Sequence, residues 1–229
     1  MIFPTTKLNE FFNSSELIKG MVSIFGDFGV GKTTLALQLA INTAKLGKVV
    51  FIYSKPNLPY EKIGNILRED SSDIFNNIIL ISTPDFVSLN NIVLNLEFLI
   101  LNYLNEQKMV LNLIVIDSIT DLYRLELNRE KKEKNVNLNY QLNLLLANLC
   151  YINDKYSINI LIVNEISRRN YEDYTIEIQS GGKVMDYWVK YSLKINRTKK
   201  LNVRNLIITK HPEMKSFQFL SDLTEYGFK

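Results

Sequence analysis

The nine residues Gly26–Thr34, GDFGVGKTT, constrain this chain more than any other stretch. They stand between the apolar run MVSIF and the segment LALQLAINTAKL, whose apolar residues recur at helical spacing. Gly26 to Thr33 fit G-x-x-x-x-G-K-[ST] in full, with a strand before and a helix after, the setting in which that pattern binds phosphate. The glycines let successive backbone N–H groups converge on an anion, and the helix that follows adds its positive end. In such a loop Lys32 reaches the β- and γ-phosphates, while the Thr33 hydroxyl ligates Mg²⁺. The pattern predicts an ATP–Mg²⁺ cradle made of Gly26, Asp27, Phe28, Gly29, Val30, Gly31, Lys32, Thr33 and Thr34.

A cradle of this kind needs a second group for the metal at the end of a neighbouring strand. LNLIVIDSIT supplies one: apolar Leu113 to Ile116, then Asp117. A carboxylate at a buried strand end is costly without a metal or a hydrogen-bond partner. Thr33 and Asp117 are the expected metal ligands.

Short apolar runs alternate with longer periodic segments. Strands are expected at Met21–Phe25, Val49–Tyr53, Ile78–Ile81, Leu111–Ile116 and Asn159–Val163, and helices at Lys32–Leu46, Tyr60–Glu69, Phe86–Asn105 and Leu138–Asp154. Runs such as LNLIVID and INILIVN, with four consecutive apolar residues each, belong to strands covered on both faces, as in a parallel sheet. The expectation is one doubly wound α/β domain over all 229 residues, with residues 1–20 as an N-terminal segment. Residues 185–229 read as strands that extend the sheet in antiparallel fashion.

Composition narrows the partners. With 27 basic and 24 acidic residues the net charge is +3, so nucleic-acid binding would need a local basic cluster. The single cysteine, Cys150, excludes an internal disulfide; it suggests a reducing, cytoplasmic setting, and in LLLANLCYI it reads as a small buried hydrophobe. No signal peptide is recognisable, and FVSLNNIVLNLEFLILNYL carries too many polar residues for a membrane span and reads as a packed helix. The mixed-charge stretch Arg124–Asn137 reads either as a solvated helix end and loop or as a mobile loop facing a nucleic acid or a protein. His211, the only histidine, lacks the neighbours that a metal site requires.

Together these stretches resemble the RecA/RadA superfamily, and within it the short archaeal RadA paralogues of RadB-like type. LIKGMVSIFGDFGVGKTTLALQLA is similar to their P-loop region, IVIDSITDLYRLEL to their magnesium-binding strand, ILIVNEISRR to a strand ending in a polar pair, and GGKVMDYWVKYSLKINR and ITKHPEMKSFQF to the segments that follow. The resemblance implies a P-loop NTPase of RecA-like fold that binds ATP and Mg²⁺ and acts in homologous recombination and DNA repair. It implies catalytic roles for Lys32, Asp117 and Glu165, with Asn164 and Glu165 as the γ-phosphate-sensing pair. It further implies a DNA-facing loop over 166–182, with Arg168, Arg169, Tyr171, Tyr174 and nearby Lys183 contacting single-stranded DNA. By the same resemblance His211, Arg204 and Lys210 lie near positions that approach a neighbouring subunit's nucleotide.

The chain departs from that pattern in three places. Lys55, in FIYSKPNLPYEKI, stands where such recombinases carry the carboxylate that activates water, and Glu61 aligns with a helix position instead. Glu165 replaces a glutamine, and acts either as a displaced base or as a carboxylate that repels phosphate unless it is paired. No Phe-x-x-Ala polymerisation motif is present, Phe3 being followed by Pro4-Thr5-Thr6. The expectation is therefore ATP binding with slow hydrolysis, about 10²–10⁴-fold below an enzyme with a placed base. A monomer, a dimer or a hetero-oligomer with a full-length RadA-type recombinase is expected. A KaiC-like regulatory ATPase or kinase and a nucleotide-gated protein adaptor are the alternatives.

Overall fold

The computed structural model describes residues 1–12, 17–67, 72–105, 110–127, 130, 132–170 and 175–229. Its elements run α1 (Thr6–Phe12), β1 (Met21–Gly26), α2 (Lys32–Ala44), β2 (Lys48–Tyr53), α3 (Tyr60–Leu67), α4 (Ser72–Phe75), β3 (Ile78–Ser82), α5 (Phe86–Asn105) and β4 (Leu111–Asp117). They continue with α6 (Ile119–Glu126), α7 (Lys132–Tyr156), β5 (Asn159–Asn170), β6 (Thr175–Gln179), α8 (Gly182–Trp188), β7 (Val189–Arg197), β8 (Val203–Lys210), β9 (Phe217–Thr224) and β10 (Gly227–Phe228).

The sheet order is β10-β9-β8-β7-β1-β5-β4-β2-β3, with β6 paired to β5. β3, β2, β4, β5, β1 and β7 are mutually parallel; β8, β9 and β10 are antiparallel. Every residue of β1 is buried, which is why the run MVSIFG carries no alternation. One face of the sheet packs on α1, α2 and α3 through Leu8, Leu35, Leu39, Ile63, Val115 and their neighbours. The other packs on α5–α8 through Phe86, Val93, Ile116, Leu142, Leu149 and Met185. This is the expected covered α/β sheet.

α5 is, among the described residues, the one helix long and apolar enough to cross a membrane by composition. It instead buries Phe86, Leu89, Val93, Leu96 and Ile100 in the second cluster. Its polar residues work at the edge: Glu97 accepts hydrogen bonds from Tyr151 (3.0 Å), Lys155 (2.9 Å) and Tyr156 (2.5 Å), tying α5 to α7.

Four expectations need correction. The stretch Arg124–Asn137 is mostly helical: α6 runs to Glu126 and α7 starts at Lys132, six residues before the expected start at Leu138. Glu and Lys are good helix formers, and Glu133 suits the first turn of α7. Residues 166–182 begin as a ladder, not a loop, because β5 continues to Asn170 and β6 returns from Thr175 with Ile166 opposite Gln179. The alternation in TIEIQ is the strand signal there. Tyr187 and Trp188 close α8 instead of opening a strand. α8 then acts as a crossover that sets β7 parallel to β1, so antiparallel pairing begins only at β8.

Other residues fall near their expected places. Cys150 is half-buried against the second cluster, and burial pushes its thiol pKa up. Phe3 is buried and stacks on Phe12 with ring centroids 4.7 Å apart. His211 lies after β8 and packs edge-on against Phe11 and Tyr191.

Candidate functional site

The parallel strands end on a common rim, and their last residues build the site. β1 runs into the P-loop, where Gly31 caps α2 at φ 106° without a side-chain capping bond. A Cβ at Gly31 would stand 3.0 Å from Leu223 and Phe228, so a larger residue meets both an unfavourable backbone and the C-terminal strands. β4 delivers Asp117 and β5 delivers Asn164 and Glu165; Gly26 and Glu165 are partners in the sheet register.

The structure brings Lys32, Thr33, Asp117 and Glu165 together as expected. Lys32 is 5% exposed, and its ammonium donates to the carbonyls of Gly26 (2.8 Å) and Asp27 (2.9 Å) and to Glu165 Oε2 (2.8 Å). Glu165 is thus a paired carboxylate in this structure, which answers the charge problem that a glutamate beside phosphate would pose. The Thr33 hydroxyl donates to Asp117 Oδ2 at 2.6 Å. Asp117 is fully buried, and among the described residues its Oδ1 accepts no hydrogen bond. Lys55 Nζ lies 3.4 Å from that oxygen, a charge contact and not a hydrogen bond. Burial opposes the charge on Lys55, but the carboxylate of Asp117, with Asp121, Tyr53 and Glu165, raises its pKa above the ordinary lysine value.

A half-buried hydroxyl and a buried carboxylate, one of whose oxygens accepts no hydrogen bond among the described residues, are hard oxygen donors that suit Mg²⁺. The residues present therefore fit the expected metal. Ser54 locks the strand ends around them: its N–H donates to the Asp117 carbonyl (2.8 Å) and its hydroxyl accepts from Ser118 N–H (2.7 Å).

The β5–β6 hairpin is wired into the same rim. Asn164 is fully buried, contacts Thr120 of α6 and donates to the Ser180 carbonyl at 2.8 Å. Arg168 grips both carboxylate oxygens of Asp27, in the P-loop, at 2.9 and 3.1 Å, and also pairs with Glu177. Glu177 in turn holds Lys194, whose hydrogen bond, with Arg168, keeps that carboxyl below the ordinary range against the effect of burial. Arg168, expected to face DNA, is thus committed to two carboxylates here. The Arg169 side chain, Tyr171 and Tyr174 lie outside the described residues.

Lys183 sits on α8, exposed, and helps line a 460 Å³ cleft with Tyr123, Arg124, Ser167 and Ser180. This cleft unites Arg124 of the charged stretch with Lys183. Lys210 contacts Asp186 of the same chain, and Arg204 contributes to the P-loop itself. Sequence reasoning missed how the loop is held from behind: Arg197 donates to the Phe28 carbonyl (2.9 Å) and Arg204 to the Val30 carbonyl (3.1 Å). Nothing local in the sequence marks those contacts, since both arginines come from strands added late in the chain.

A sequence model of the family described as Rad51 matches residues 5–228. The chain is 33% identical over 195 residues to the DNA repair and recombination protein RadB of Methanocaldococcus jannaschii, covering 84% of this chain and 85% of the relative. The protein of the same name from Methanococcus maripaludis is 30% identical over 210 residues, covering 91% and 89%. That from Methanobrevibacter smithii is 30% identical over 196 residues, covering 84% and 80%.

Proposed function

The chain belongs to the Rad51 family, and from that premise we propose that it is a RadB-like accessory protein of homologous recombination and DNA repair, one that binds ATP with Mg²⁺ and hydrolyses it slowly. The observation that carries the slow turnover is the fate of the two carboxylates at the rim. Asp117 faces Lys55 and Thr33, and Glu165 is held by Lys32, so neither stands free to accept a proton from water. Lys32 and Thr33 would hold phosphate and metal, with Asp117 completing the metal's oxygen shell; bound Mg²⁺ would neutralise charge on the phosphates. The nine residues Gly26–Thr34 form the cradle.

Single-stranded DNA and a full-length recombinase are the partners this role calls for. The cleft beside the hairpin, with Arg124 and Lys183, is the surface suited to a phosphate backbone. The protein then acts as a holder and switch more than as an engine.

ATP turnover with and without single-stranded DNA tests this. Turnover about 10²–10⁴-fold below that of an enzyme with a placed base is expected, and Lys32→Ala abolishes both binding and turnover. Brisk hydrolysis lost in Lys32→Ala would overturn the slow-switch reading. In parallel, Arg124→Ala/Lys183→Ala lowers a salt-sensitive DNA affinity; DNA binding by neither protein at any salt leaves a nucleotide-gated adaptor for protein partners, an alternative that Lys55 at the metal-side carboxylate favours.

A further inference from the structure

Among the described residues, Asp117 is a fully buried carboxylate with one oxygen that accepts no hydrogen bond, and an ammonium of the protein itself, that of Lys55, faces that oxygen. A buried charge in that position needs compensation, and a metal ion is the usual source. Lys32 does not provide it, because its three donors are taken by Glu165 and by the carbonyls of Gly26 and Asp27. Lys55 does, from 3.4 Å, with its side chain 31% exposed and its base fixed by the Ser54 contacts to β4. Pro56 follows it and disfavours the α conformation at Lys55, which restricts where the stem can start.

The charges at the rim then balance. Lys32 and Lys55 contribute two positive charges, Asp117 and Glu165 two negative ones, so the four groups sum to zero. A lysine ammonium is a compact, strongly hydrated point charge with three donors, the closest a side chain comes to a small hard cation. It differs from a diffusible ion in being tethered, so it stays at the site at any metal concentration.

We propose that Lys55 is an internal cation of the nucleotide site, taking over at Asp117 part of the charge that a divalent metal supplies, so that the protein retains a nucleoside triphosphate when divalent metal is withdrawn. This rests on the nucleotide-binding reading above and adds to it a relaxed metal requirement. Lys55 also competes with a divalent ion for Asp117 when no nucleotide is present.

The test is titration of the full chain with a fluorescent methylanthraniloyl-ATP in excess Mg²⁺ and in excess EDTA. Wild type loses less than about tenfold in affinity between excess Mg²⁺ and EDTA, whereas Lys55→Met loses more than about a hundredfold between the same two conditions. Lys55→Arg, which keeps the charge, behaves as wild type. Where Lys55→Met gives no cooperative thermal melt, Lys55→Gln, which keeps a donor for Asp117 without the charge, is measured in its place. Equal losses in wild type and variant, or no loss in either, overturn the proposal. A second arm titrates Mn²⁺ into nucleotide-free protein by electron paramagnetic resonance, where Lys55→Met binds Mn²⁺ about tenfold more tightly than wild type. Absence of nucleotide binding even in Mg²⁺ would sink the preceding reading, while the Mn²⁺ arm would still decide this one; unchanged Mn²⁺ affinity overturns it.

Discussion

The two halves of the sheet are built by different rules, and the site uses them differently. In the parallel half, β1 and β4 are buried nearly throughout and all the strands end on one rim. Each strand end can therefore hand a side chain to the same place: Lys55 just past β2, Asp117 from β4, Glu165 from β5 and the P-loop from β1. In the antiparallel half, β9 alternates between buried and exposed positions, and only every second strand end reaches that rim. Arg204 near the start of β8 is what arrives there, beside Arg197 from the end of β7, the parallel strand at the seam with this half, and both bind P-loop carbonyls. One half supplies the groups suited to phosphate and metal, and the other braces the loop that carries them.

The comparison breaks most readily in the core. Ile114→Ala in β4, at a fully buried position, is expected to cost about 2–5 kcal/mol, while Leu220→Ala on the exposed side of β9 stays within about 0.5 kcal/mol of wild type. Chemical denaturation of the two variants measures the gap; equal effects would show that the halves do not differ as described.

The bracing contributed by the C-terminal strands is sharpened by Gly227→Ala. Gly227 has φ 108°, and a Cβ there would approach the Gln38 side chain of α2 to 2.1 Å. Gln38 accepts from Phe228 N–H at 2.8 Å and donates to the Tyr226 and Phe228 carbonyls at 3.3 Å, which docks β10 on the P-loop helix. The variant should lose about 1–3 kcal/mol, read from its denaturation midpoint, with faster release of nucleotide as the loop loosens.

The smallest effect lies away from both halves, at the α5–α7 contact. Hydrogen bonds from Tyr156, Lys155 and Tyr151 lower the Glu97 pKa from 4.5 to about 2. A depressed carboxyl contributes stability above its unfolded pKa and loses it as pH falls through the folded value. The contribution is thus intact at neutral pH and fades between about pH 4.5 and about 2. Glu97→Gln should remove that small contribution at neutral pH, lowering the melting temperature slightly there, and should flatten its fall over that interval.

How much of this was legible in the chain follows from where the information sits. The runs MVSIF and LNLIVID identify covered strands because burial on two faces leaves no regular polar alternation; Ser23, polar within the first, is buried and donates to Gln179. Thr33 and Asp117 were legible because the loop motif and the strand-end acid are each local. α8 was missed because its seven residues open on a glycine, with Gly181 capping it, and close on an aromatic pair that also suits a strand. The pairing of Glu165 with Lys32 was legible only as a need, since the partner is chosen by adjacent strands and not by neighbouring sequence. Lys55 was recognised as out of place for a base; its position against Asp117 comes from the register of β2 with β4, where Tyr53 and Asp117 are partners.

The double hydrogen bond between Asp27 and Arg168 joins a residue inside the phosphate loop to one on the β5–β6 hairpin. A ligand that draws Arg168 toward itself releases Asp27, and a nucleotide that reshapes the loop releases Arg168. Thermodynamic linkage makes these effects mutual: whatever factor a hairpin ligand imposes on nucleotide affinity, the nucleotide imposes on that ligand. A single measured coupling, taken from either side, therefore reports the strength of both.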